Sequence, residues 1–286
     1  LLSEGADICL RKPFKLEDIY TQLRKLSWKA EFLKKEEWSM DDSTIPAEMQ
    51  EELVFVSHKS ETGIAPLDDM MKGGLPKGSN ILVIGEVGSG KSSFFRSFVT
   101  TGLKNQEPCL YVTLDDDPFL IRRELTKKLG VPLDEYTQRS QFCMVDAYNW
   151  GSNSYQTNEP FALKSNLNLV KLSGCIRDAS ATLGQDTDLK QGGRRVIDSL
   201  TSLLVNFELP ALQPFLFQIT RTAIIFGYVT TLFSLEAGTL DERILKNVIY
   251  SMDGVIEMQT REDGKYLRIT HMKWMSHSKE WIKMDG

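Results

Sequence analysis

The stretch Asn80 to Ser93, NILVIGEVGSGKSS, limits what this chain can fold into more than any other part of it. Gly85 and Gly90 bracket four residues and are followed by Lys91 and Ser92, which meets the G-x-x-x-x-G-K-[ST] pattern in full. Before it, Ile81, Leu82, Val83 and Ile84 form an apolar run suited to a buried parallel strand. The glycines reach backbone angles that a Cβ would forbid. Successive amides of Gly85, Glu86, Val87, Gly88, Ser89, Gly90, Lys91, Ser92 and Ser93 can then turn toward one anion. Lys91 supplies a point charge for β and γ phosphates, and the Ser92 hydroxyl is a ligand for Mg²⁺. The residues from Ser92 to about Lys104 predict a helix whose positive N-terminal end faces the phosphates.

The rest of the chain reads as strands and helices feeding the same edge. Cys109 to Leu114 predicts a strand that opens into Asp115, Asp116 and Asp117, and Asp117 suits the N-cap of a helix carrying Ile121, Leu125 and Leu129. Carboxylates at the carboxyl end of a parallel strand stand where open α/β sheets bind ligands. Gln141 to Ala147 predicts another strand, followed by a polar loop to Pro160. A helix is expected from about Ala162 to Leu183, with Leu163, Leu167, Val170, Ile176 and Ala179 as its core stripe. Arg194 to Ser199 predicts a strand ending in Asp198, the acid that in phosphate-loop proteins holds Mg²⁺ or its water shell. A helix from Leu209 to about Gly227 and a strand from Val229 to Ser234 follow, with Ser234 or Glu236 at the edge where a γ-phosphate sensor would sit. After a helix from Leu240 to Ser251, the segments Gly254 to Thr260, Lys265 to His271 and Trp281 to Met284 alternate like antiparallel strands.

With 286 residues the chain has room for one large domain and a small appendage, and its net charge of -5 gives no basic footprint, so DNA is not expected as a partner. No apolar run reaches the roughly 20 residues of a membrane span. The four cysteines, Cys9, Cys109, Cys143 and Cys175, lack paired ligand spacing and read as free thiols in a reducing cytoplasm. The sequence does not start with methionine, and the expectation is a piece of a longer polypeptide.

Thr62, Gly63, Leu67, Asp68, Gly73, Gly74, Leu75, Pro76 and Gly78, ahead of the phosphate loop, resemble the corresponding passage of the RecA superfamily, in particular its KaiC-like and archaeal RadA-like ATPases. The resemblance runs to the C-terminus. It implies an α/β, RecA-type P-loop NTPase core over residues 50–286, with a mainly parallel sheet, flanking helices and antiparallel C-terminal strands. It implies Mg-ATP as ligand and a homo-oligomer with nucleotide at subunit interfaces. KaiC-like ATPases carry paired glutamates where this chain has Asp115 and Asp116, and one of the pair orients and deprotonates the attacking water. Aspartate is shorter by about 1.5 Å of reach, so slow hydrolysis is expected. Near the C-terminus the family carries a lysine and an arginine that act on a neighbouring subunit's γ-phosphate. His271 and Lys273 match those positions, with Lys273 the trans cation and His271 a pH-sensitive partner.

Residues 1–26 resemble the last strand and helix of a response-regulator receiver domain, through Gly5, Ala6, Asp7, Lys12, Pro13, Phe14 and the apolar face Leu16, Ile19, Tyr20, Leu23 and Leu26. Residues 27–49 read as a charged linker or solvated helix. The expected function is a Mg-ATP-binding, weakly hydrolysing switch that assembles with nucleotide and answers to signalling partners. The alternatives are a RadA-type recombination ATPase and a nucleotide-binding interaction module without turnover.

Overall fold

The computed structural model describes residues 58–148, 157–164, 166–184, 192–225, 228–273 and 275–284, and of 222–225 the backbone alone. These residues all fall in the compact unit Glu52–Gly286. The expected receiver-like fragment 1–26, the linker 27–49 and the start of the core before His58 lie outside the described residues.

Among the described residues a two-stranded ribbon comes first and pairs β1 (Lys59–Ser60) with β2 (Leu75–Pro76). The strands that follow are β3 (Asn80–Gly85), β4 (Cys109–Thr113), β5 (Phe142–Asp146), β6 (Phe161–Ala162), β7 (Gly193–Asp198), β8 (Val229–Glu236), β9 (Gly254–Arg261), β10 (Gly264–Met272) and β11 (Ile282–Met284). These nine form one sheet in the order β11-β10-β9-β3-β8-β7-β4-β5-β6. All pairings from β9 to β6 are parallel, and β10 and β11 are added antiparallel. This is the expected α/β arrangement of a mostly parallel sheet with antiparallel C-terminal strands.

The period of two along each strand divides the interior into two cores. Ile81 and Val83 of β3 face one side, where α1 (Ala65–Met70), α2 (Lys91–Lys104) and α3 (Pro118–Leu129) contribute Leu67, Phe94, Phe98, Ile121 and Leu125. A short α4 (Leu133–Gln138) completes that layer. Leu82 faces the other side, against Leu172 and Ile176 of α5 (Leu169–Thr182), Leu203 of α6 (Leu200–Asn206), Leu212 of α7 (Leu209–Ile225) and Val248 of α8 (Glu242–Tyr250). Burial on both faces is why these strands read as continuous apolar runs instead of alternating ones. No helix among the described residues is long and apolar enough to cross a membrane.

One expected element is corrected. The helix foreseen from Ala162 begins at Leu169, because Phe161 and Ala162 add β6 to the sheet edge beside Val145 and Asp146. Leu163 stays extended, its amide donating to Asp146 O at 2.8 Å. Asn168 caps α5, its Oδ1 accepting from the Lys171 amide at 3.0 Å. Val170, expected in the core stripe, is 81% exposed, and Leu172 is buried in its place. The i, i+4 spacing of Leu163 and Leu167 imitates a helix that the chain has not yet entered; the Asn168 cap marks the true start.

The strand β7 carries two cations into the interior, since Arg194 and Arg195 are almost fully buried there. Arg194 is held by the Glu107 carboxylate, by the carbonyls of Glu61 and Phe98, and by stacking 4.6 Å from the Phe98 ring. Burial lowers the Arg195 guanidinium to about 10.

Candidate functional site

β3 lies between β8 and β9, while the chain leaving α2 crosses over β8 and β7 to enter β4. That crossover opens the sheet's carboxyl edge beside β3, where ligands bind in folds of this kind. The loop after β3 occupies the opening. Gly85 is required by space, since a Cβ there would collide with Ser89 Oγ and meet Met258 O at 2.7 Å. Gly88 and Gly90 adopt φ of +81° and +103°, left-handed values that glycine takes without a steric penalty. Gly90 is the N-cap of α2, and α2 has no acidic residue in its first turn to offset its positive end.

The amides of Gly88, Gly90, Lys91 and Ser92 donate to no protein acceptor among the described residues. The Ser89 hydroxyl is buried without a partner. Lys91 Nζ reaches back across the loop to Gly85 O at 2.6 Å, Glu86 O at 2.9 Å and Glu236 Oε2 at 2.9 Å. Orphaned donors and one ammonium thus surround a cradle that an anion would satisfy, so the residues present fit a polyphosphate. The hydroxyl of Ser92, in the first turn of α2, and the carboxylate of Asp198 are hard oxygen donors of the kind Mg²⁺ takes. Among the described residues no group of three or more His, Cys, Asp or Glu could hold a metal ion.

Asp198 ends β7 and is 6% exposed. Ser234 Oγ donates to its Oδ1 at 2.6 Å and Tyr111 Oη to its Oδ2 at 2.8 Å. Burial pushes its carboxyl above the ordinary value, opposed by those two hydrogen bonds. A carboxyl whose folded pKa is raised binds more protons folded than unfolded, so stability falls as pH climbs from the unfolded toward the folded pKa. Asp198→Asn, which removes the buried charge, is therefore expected to melt at or above wild type near neutral pH in metal-free buffer, the gap closing on acidification. A variant that melts lower at every pH contradicts this account of Asp198.

The two remaining acids part company. Asp115 follows β4 and accepts hydrogen bonds from Ser199 Oγ and Ser202 Oγ at the start of α6. Asp116 turns toward α2, where Arg96 Nη2 donates to it at 2.9 Å; Arg96 is nearly buried and also pairs with Glu124. Asp117 caps α3 as expected, accepting from the Phe119 amide at 2.8 Å.

The edge candidates also separate. Ser234 is buried on Asp198, whereas Glu236 stands on Lys91 and its amide donates to Thr201 Oγ1 at 2.8 Å. Lys273 and His271 lie at the far end of β10, which runs antiparallel to β9, so they sit at the edge of the sheet away from their own chain's loop. Lys273 Nζ pairs there with Asp253 at 3.0 Å, and His271 is exposed. Sequence reading missed Tyr111, Ser199, Ser202 and Arg96. Only the serines carried a signal, since Ser199 directly follows the Asp198 strand as a helix N-cap, with Ser202 three residues on.

A family model described as "ATPase: KaiC" matches residues 60–285. A UPF0273 protein of Thermotoga maritima is 28% identical over 76% of this chain and 88% of its own length. One from Pyrococcus horikoshii is 28% identical over 78% and 88%. Among solved structures, a KaiC-like protein of Pyrococcus horikoshii superposes with a TM-score of 0.59 at 22% identity, covering 78% of this chain and 93% of its own.

Proposed function

The chain belongs to the KaiC ATPase family, and from that premise we propose that it binds Mg-ATP in the loop after β3, hydrolyses it slowly and acts as a switch through nucleotide-dependent assembly. The observation that carries this reading is the set of unsatisfied amides at the α2 terminus facing the Lys91 ammonium. Lys91 exchanges Glu236 for phosphate oxygens, and the amides of Gly88, Gly90, Lys91 and Ser92 hold the remaining anionic oxygens. Mg²⁺, when bound, neutralises charge on the β and γ oxygens. Ser92 and Asp198 are the residues that would hold it or its water. Asp115 orients the attacking water and takes its proton, while Asp116 serves Arg96.

Support for assembly comes from the far-edge position of Lys273, away from its own loop; in this reading it serves a neighbour's site. In the same reading residues 1–26 are receiver-like and 27–49 a linker, and the switch answers to a signal. Mass in solution with and without Mg-ATP tests the assembly. We expect a nucleotide-dependent increase that Lys273→Ala diminishes. A monomer mass that stays constant at saturating Mg-ATP would remove assembly from the proposal and leave the binding site standing.

A further inference from the structure

The hairpin of β9 and β10 brings a second cation to the phosphate loop. Gly264 takes φ +144° at its turn, and Lys265 follows it. Lys265 shares its strand parity with Leu267 and Ile269, which are buried in the core under α2, so its side chain leans to the α2 side of the sheet. A methyl group built on Gly90 would lie 3.0 Å from Lys265 Cδ and 3.6 Å from its Nζ. The ammonium therefore stands at the N-cap of α2. On the partner strand, Thr260 Oγ1 donates to Gly88 O at 3.3 Å, which ties the hairpin to the loop a second time.

Among the neighbouring basic residues Arg268 has Glu257, Lys283 has Asp263 and Lys273 has Asp253, while Arg261 lies over the Tyr266 and Trp281 rings. Lys265 forms no ion pair among the described residues. A cation beside a helix N-terminus is unfavourable on its own, because both carry positive charge. The arrangement becomes favourable when an anion lies between them.

We propose that Lys265 is a second phosphate-binding cation acting in cis, which joins Lys91 on the polyphosphate of the bound nucleotide and couples the β9–β10 hairpin to it. This rests on the loop being the nucleotide site. The test compares wild type, Lys265→Ala and Lys265→Arg in equilibrium binding of Mg-ATP and of inorganic tripolyphosphate, at low and raised salt. Lys265→Ala is expected to weaken both ligands about tenfold and to flatten the salt dependence, and Lys265→Arg to keep most of the affinity. Because Lys265 is exposed, its variants should melt like wild type. Unchanged binding of both ligands to Lys265→Ala overturns the inference while the site survives. Weakening of Mg-ATP alone also overturns it, since the contact would then lie on the nucleoside. Failure of wild type to bind either ligand removes the nucleotide site itself, and this inference with it.

Discussion

Lys91→Ala is expected to weaken Mg-ATP binding by at least ~100-fold while the protein stays folded. Among the described residues its ammonium is the one side-chain cation that hydrogen-bonds the loop's interior carbonyls, and it makes three bonds in all. Its removal leaves the amides of the α2 terminus, which supply dipoles but no full charge, and the Lys265 ammonium at the N-cap, outside the loop's interior. The fold should persist because those three bonds run to the loop and to Glu236, at the rim of the sheet and apart from either core. Isothermal titration alongside thermal melting separates the two effects. A folded variant with wild-type affinity would mean that the loop is not the nucleotide site.

The second large effect is a split between two adjacent acids. Asp115→Asn is expected to lower phosphate release roughly a hundredfold or more, the loss typical of a missing general base, with Mg-ATP affinity retained. Asp116→Asn is expected to act on stability instead, because it removes one of the two carboxylates that neutralise the nearly buried Arg96. Glu124 remains, and Asp116 is 41% exposed, so the cost should be modest, about 1 kcal/mol or less. Single-turnover hydrolysis and denaturant unfolding on both variants read the two outcomes. If Asp116→Asn stops turnover and Asp115→Asn does not, the roles assigned to the pair are reversed.

The parts of this molecule legible in the sequence are those where a local rule and the global fold agree. The loop from Gly85 to Ser92 announces itself because its conformation excludes side chains at Gly85 and favours glycine at Gly90. The strands β3, β4 and β5 are legible because burial on both faces leaves little room for polar residues. Asp117 is assignable as a cap from its place before Pro118 alone.

Other features depend on neighbours distant in sequence. Which of Asp115 and Asp116 meets Arg96 on α2 and which meets Ser199 and Ser202 on α6 is set by those distant neighbours, and no spacing in the chain encodes the meetings. Tyr111 reaches Asp198 across the pairing of β4 with β7, a register that the sequence does not display. Arg194 suits a central strand only because Glu107 and Phe98 surround it. The misplaced start of α5 has a different cause. Leu163 and Leu167 are apolar for the sake of the sheet edge and the core beneath it, and their spacing coincides with a helical turn.

The central claim, that a cradle of amides and one ammonium at the end of β3 holds a metal-bound triphosphate, is tested most directly by titrating Mg-ATP into the intact chain in a calorimeter. The account predicts saturable binding of one nucleotide per chain, weakened when magnesium is chelated and displaced by tripolyphosphate. Absence of saturable heat with Mg-ATP, from a sample that melts cooperatively, would contradict it.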